Sequence, residues 1–167
     1  MIHVRIASLS VDSASNQPVI ILRPIDEEAG GGGLVPIWIG QAEATAILLA
    51  LQGIAPPRPM THDLLRGVIE SIGATLVRVE ITRIEGGTFY ASLVLSRADG
   101  TTVEVDARPS DSIALAVRTG TPVFLAEQVL EEAAVIEVTE QTGENAEEEI
   151  ERFRAFLEDV DPSDFQG

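Results

Sequence analysis

The chain contains no cysteine, which removes disulfides, thiolate metal sites and cysteine nucleophiles together. Lysine is missing as well: all eleven basic residues are arginines, so neither a Schiff-base lysine nor the lysine of a phosphate-binding loop is available. Aromatic residues make up only 4%. That leaves the core to valine, isoleucine, leucine and alanine, and offers few rings on which nucleobases could stack. No apolar run approaches the roughly 18–20 residues that a membrane-spanning helix needs. The opening Met1-Ile2-His3-Val4-Arg5 lacks the basic, apolar and small-residue regions of a secretion signal. A soluble, cytoplasmic chain with no membrane partner is therefore the expectation. The arginines are scattered along the sequence and form no basic stripe of the kind that tracks a nucleic-acid backbone.

What remains is an ordinary globular composition, with 45% hydrophobic and 23% charged residues in 167, enough for one domain with its own core. The net charge of −16 is unevenly spread. From Glu127 onward fourteen acids face two arginines, a balance of −12, whereas residues 1–126 carry thirteen acids and nine arginines, a balance of −4. The body is therefore mildly acidic and the tail strongly so; the expected organisation is a domain over residues 1–135 followed by an acidic C-terminal segment over 136–167. In that segment Ile150, Phe153, Leu157 and Val160 mark an amphipathic helix at about 146–159. Such a field repels nucleic acid at long range.

The pattern of apolar residues predicts strands over His3–Leu9, Pro18–Leu22 and Leu34–Ile39, the last two separated by a glycine-rich connector, Asp26 to Gly33. A helix over about Gly40–Leu51 follows. A second begins at Thr61 as a cap and runs to Ile72, with Leu64, Leu65, Val68 and Ile72 as its buried stripe. The next segment repeats this grammar. Val77, Val79 and Ile81 alternate with polar residues. Gly86-Gly87 closes a hairpin, Phe89, Ala91, Leu93 and Leu95 share one strand face, and Val103 and Val105 continue the core. A helix runs from Pro109 to Thr119, and Gly120 stops it. The expected fold is α+β: two layers, with a mixed or antiparallel sheet from a duplicated β-β-β-α unit and helices packed on it. In that duplication Ile39–Ile47 lies over Ala107–Leu115, which sets Glu43 over Asp111.

Polar groups gather where strands or loops enter helices: Arg58-Pro59-Met60-Thr61-His62-Asp63, Asp106-Ala107-Arg108-Pro109-Ser110-Asp111, and Glu43. Backbone N–H groups collect at such entrances and favour anions. Each residue also has a plain structural role open to it. Thr61 and Ser110 can cap helices, the acids can complement helix dipoles, and the arginines can pair with the acids. Read as chemistry, the set suits phosphodiester hydrolysis, which needs an activated water and neutralised phosphate charge. His62, Asp63, Asp111 and Glu43 are the candidate catalytic groups, with His62 as acid or base. Arg58, Arg108, Thr61 and Ser110 are the candidate phosphate binders. Glu43, Asp106 and Asp111 are the candidate ligands for Mg²⁺ or Mn²⁺. Spacing alone leaves open a non-catalytic module that binds a small anion, a nucleotide or a protein partner at the same entrances, and also a chiefly structural homo-oligomer.

Four segments, in one order, carry a family resemblance: Pro36-Ile37-Trp38-Ile39-Gly40 with Glu43-Ala44; Arg58 to Leu65; Gly87-Thr88-Phe89-Tyr90-Ala91; and Asp106 to Ala116. Together they make the chain resemble the bacterial bifunctional nuclease family over about residues 1–135. The resemblance implies an α+β fold, nucleic acid as the partner and, from plant relatives, hydrolysis of DNA and RNA. The acidic C-terminus shows no clear match to the UVR motif that some relatives carry.

Overall fold

The computed structural model describes residues 1–26 and 33–136. The acidic helix expected at about 146–159 and most of the glycine-rich connector lie outside the described residues. In chain order the elements are β1 (Ile2–Asp12), β2 (Gln17–Pro24), β3 (Gly33–Trp38), α1 (Gln41–Leu51), α2 (Thr61–Ser71), β4 (Thr75–Glu85), β5 (Thr88–Ser96), β6 (Thr102–Ala107), α3 (Pro109–Thr119), β7 (Val123–Leu125), α4 (Glu127–Ala133) and β8 (Val135–Ile136).

The strands form one mixed sheet in the order β6-β5-β4-β7-β1-β2-β3-β8, with helices packed on it, an α+β fold as expected. β1-β2-β3 and β4-β5-β6 are each antiparallel meanders followed by a helix. The Gly86-Gly87 turn between β4 and β5 has positive φ at both residues, the conformation that a two-residue hairpin demands and that glycine adopts without steric cost. Three residues join the meanders: β7 lies antiparallel to β1 and parallel to β4. Two backbone bonds reinforce this seam, Val79 N–H to Pro122 O at 3.0 Å and Ala126 N–H to Ile81 O at 2.9 Å.

The core forms where α1, α3 and α4 meet the sheet. Ile20, Leu22, Val35, Ile47, Ile81, Ile113, Leu125 and Val129 are essentially inaccessible. Burying a side chain of this size contributes about 1.5–3 kcal/mol, so the aliphatic composition suffices without aromatics. A smaller cluster of Ile69, Leu76, Val79, Leu93 and Leu115 sits under α2 and α3. Gly120, in left-handed geometry, ends α3 where the sequence places its stop.

Three expectations about burial are corrected. On β4 a register shift between Leu76 and Arg78 inserts a residue and changes the alternation phase, so Leu76 turns inward and Val77 is exposed. Val105 is exposed because β6 is the outer strand. The largest change is on α2: Leu64, Leu65, Val68 and Ile72, read as the buried stripe, are all exposed, with Ile72 at 70%. The buried residues of α2 are His62 and Ile69. Polar pins to α3, described below, decide which face turns inward.

Candidate active site

The entrances of α1 and α3 meet, and one arginine ties them together. Glu43 and Asp111 are each the third residue of their helix, and Arg108 is the N-cap of α3. Arg108 Nη2 donates to Glu43 Oε1 at 2.7 Å, and its Nε donates to Asp111 Oδ2 at 2.8 Å. The other oxygen of Asp111 lies 3.0 Å from His62 Nε2. One continuous chain, Glu43–Arg108–Asp111–His62, therefore links three helices.

Each position has a local cause. Pro109 opens α3 at N1, where its missing N–H costs nothing, and leaves Arg108 extended just outside. Gly40 caps α1 with ordinary negative φ, so its glycine is not needed for backbone conformation. It is needed for space: a methyl there would overlap Glu43 Oε2. The Glu43 side chain folds back over Gly40, and its side chain retains only 16% exposure.

Burial raises the Asp111 carboxyl, but hydrogen bonds from Arg108 and then His62 outweigh it, and the net shift is downward. Arg108 is held more firmly protonated by its bonds to Asp111 and Glu43. Asp111 is thus a carboxylate at neutral pH, fixed against the ring of a buried histidine.

Asp63 belongs to a second, separate link. Its Oδ2 accepts the Met60 N–H at 2.9 Å, and its Oδ1 accepts from Arg118 Nε at 2.7 Å. Arg118, almost fully buried, also donates to Ala114 O at 2.9 Å. Burial opposes ionisation of Asp63, yet the bonds from Arg118 and Met60 hold it below the usual carboxylate range. Asp63 and Arg118 fasten the start of α2 to the end of α3, next to His62. Met60, not Thr61, is the N-cap, and Thr61 is the first helical residue. Sequence reading passed over Arg118, although a basic residue in the last turn of a helix was a usable signal.

A cavity of about 830 Å³ opens along α1 and the connection to α2, within the size range of ligand sites. Glu43, Arg58, Thr61, His62, Arg108 and Asp111 line it. Asp63 and Ser110 do not; Ser110 is buried in the first turn of α3. Asp106 lies exposed on β6, paired with Ser92, and is also outside the lining. The three expected metal ligands therefore do not assemble. A guanidinium stands between Glu43 and Asp111, Asp106 is elsewhere, and among the described residues no three His, Asp or Glu side chains converge on one point. This donor set does not fit a divalent cation as it stands.

No helix among the described residues is long and apolar enough to cross a membrane. A family model for the bifunctional nuclease domain matches residues 20–138. An uncharacterized protein of Mycobacterium tuberculosis is 44% identical over 170 residues, covering 99% of this chain and 98% of that protein. Bifunctional nuclease 1 of Oryza sativa subsp. japonica is 28% identical over 114 residues, or 67% of this chain and 33% of the plant protein. Bifunctional nuclease 1 of Arabidopsis thaliana is 28% identical over 108 residues, 64% of this chain and 32% of its own length. With the domain model spanning most of its length, this chain belongs to the bifunctional nuclease domain family.

Proposed function

We propose that this protein hydrolyses phosphodiester bonds of nucleic acid in the cavity beside α1, with His62 and Asp111 as the proton-handling pair. The observation that carries this reading is the part-buried His62–Asp111 contact of 3.0 Å on the wall of a cavity that also holds two arginines. The plant bifunctional nucleases at 28% identity support the same class of reaction.

Asp111 accepts from His62 Nε2–H, which orients the ring and leaves Nδ1 as the proton acceptor. It also stabilises the imidazolium once a proton arrives. A water loses its proton to His62 as its oxygen bonds to phosphorus. The phosphorus–oxygen bond to the leaving sugar breaks, and the proton returns to that oxygen. Negative charge on the non-bridging oxygens is met by Arg108, whose guanidinium has five N–H donors and spends two on carboxylates, and by Arg58. Glu43 holds Arg108 in place. The Arg108 guanidinium stands between Glu43 and Asp111, so in this reading the chain's own histidine and arginines carry the proton and the charge.

The test is purified protein on single-stranded DNA and RNA, with chelator and with added Mg²⁺ or Mn²⁺. His62→Ala and Asp111→Asn should each lower turnover by about 10²–10⁴-fold, the usual worth of acid–base catalysis. Wild-type activity in both variants would reject the assignment. A second reading, binding without turnover, is favoured by the pairing of Arg108 with two acids, which neutralises the site before any ligand arrives. A nucleotide-induced rise in Tm with no cleavage under any condition would select it.

A further inference from the structure

The cavity has two unlike ends. Its polar end, at the start of α1, carries Glu43 with Arg108, Asp111 and His62; toward the end of α1 the lining is aliphatic, with Leu48, Leu49 and Ile54, whose N–H donates to Leu49 O at 2.9 Å. Glu43 and Leu49 are six residues apart on one helix, so the ends are separated by about 9 Å at 1.5 Å rise per residue. That is the scale of a single nucleotide, from phosphate to base, and not of a strand.

Charge points the same way. Two acids and two arginines line the cavity and cancel, which suits one phosphodiester. Among the described residues Arg58 makes no hydrogen bond or ion pair, and it stands exposed on the loop before α2. Arg66, Arg78 and Arg83 each pair with a nearby glutamate, and Arg118 with Asp63. Arg5 on β1 and Arg97 just after β5 are also exposed but lie outside the cavity lining, so among the described residues a polyanion would meet scattered cations and no continuous track, whereas a single flexible nucleotide could bury its base and reach Arg58 with its phosphate. An apolar wall gains from burying a nucleobase face regardless of base identity.

We propose that the aliphatic end of this cavity seats one unstacked nucleobase, so that the substrate class is single-stranded nucleic acid presented one nucleotide at a time. Duplexes are refused because their bases are stacked and paired. This deepens the hydrolytic reading and rests on it for the position of the phosphate.

The experiment titrates the full chain with adenosine 5′-monophosphate, ribose 5-phosphate and inorganic phosphate, followed by NMR, and separately measures cleavage of one RNA sequence as single strand and as duplex. Ile54→Ser is the probe variant; Ile54 is 51% exposed on a loop, so the change leaves the core filled. The expected result is about tenfold tighter binding of adenosine monophosphate than of ribose phosphate, a preference that Ile54→Ser reduces to about twofold, with cleavage of the single strand only. Equal binding of the two sugar phosphates overturns the base seat, even where cleavage persists. A preference untouched by Ile54→Ser overturns it too, since the base then lies elsewhere. Cleavage of the duplex at the single-strand rate overturns the substrate class. Selective nucleotide binding without any cleavage supports the seat and rejects hydrolysis, so the two failures are distinguishable.

Discussion

Replacing Arg118 with methionine tests the pin that aligns α2 with α3. Methionine keeps the apolar stem but removes the donors to Asp63 and to Ala114 O. Removing one partner of a fully buried pair costs about 3–5 kcal/mol. Arg118 is 6% exposed but Asp63 is 29% exposed and keeps its bond from the Met60 N–H, so water and that amide recover part of the cost. The expected loss is about 2–3 kcal/mol at pH 7, read from urea unfolding of the wild type and Arg118→Met. The pH dependence has a definite sign. The Asp63 pKa is lowered in the folded state, so its contribution is complete above the ordinary carboxylate range and disappears as pH falls through the lowered value. The penalty should therefore be largest near neutrality and shrink as the solution is taken down toward about pH 3. Asp63→Asn combined with Arg118→Met should cost less than the sum of the two single changes by about 1–2 kcal/mol. A loss below about 0.5 kcal/mol at pH 7, or one that is the same at both pH values, would refute the reasoning.

Gly40→Ala should push the Glu43 carboxylate off its place over Gly40 and loosen Arg108. Because the displaced atoms end a flexible side chain, the stability change should stay below about 1 kcal/mol, while NMR shifts of the Arg108 guanidinium and turnover on RNA both change. The orientation of α2 is checked by two substitutions in opposite directions. Ile72→Ser should alter unfolding free energy by no more than about 0.5 kcal/mol, and Ile69→Ala should cost about 2–4 kcal/mol; the reverse order would restore the stripe read from the sequence.

The elements were legible because their signals are local. Alternation and glycine or proline punctuation placed β5 and α3, and Gly86-Gly87 and Gly120 marked a hairpin and a helix stop. Residue type and helix-entrance position also singled out Glu43, Arg58, Thr61, His62, Arg108 and Asp111, all of which the fold brings to one cavity. Asp106 and Ser110 shared those credentials and lie apart, since their side chains leave the same segment in directions that depend on strand pleat and helix phase.

Local chemistry thus set what each segment would become: a mainly aliphatic core with Phe89 packed at its margin, helix entrances rich in acids and arginines, and no thiol or lysine to react. Tertiary structure decided three further matters. It turned the more apolar face of α2 outward, because His62–Asp111 and Asp63–Arg118 hold the opposite face against α3. It placed three residues, Val123–Leu125, as the seam between two meanders. It set Arg108 between carboxylates 68 residues apart in sequence. Each depends on contacts between distant segments, whose free energy no window along the chain contains.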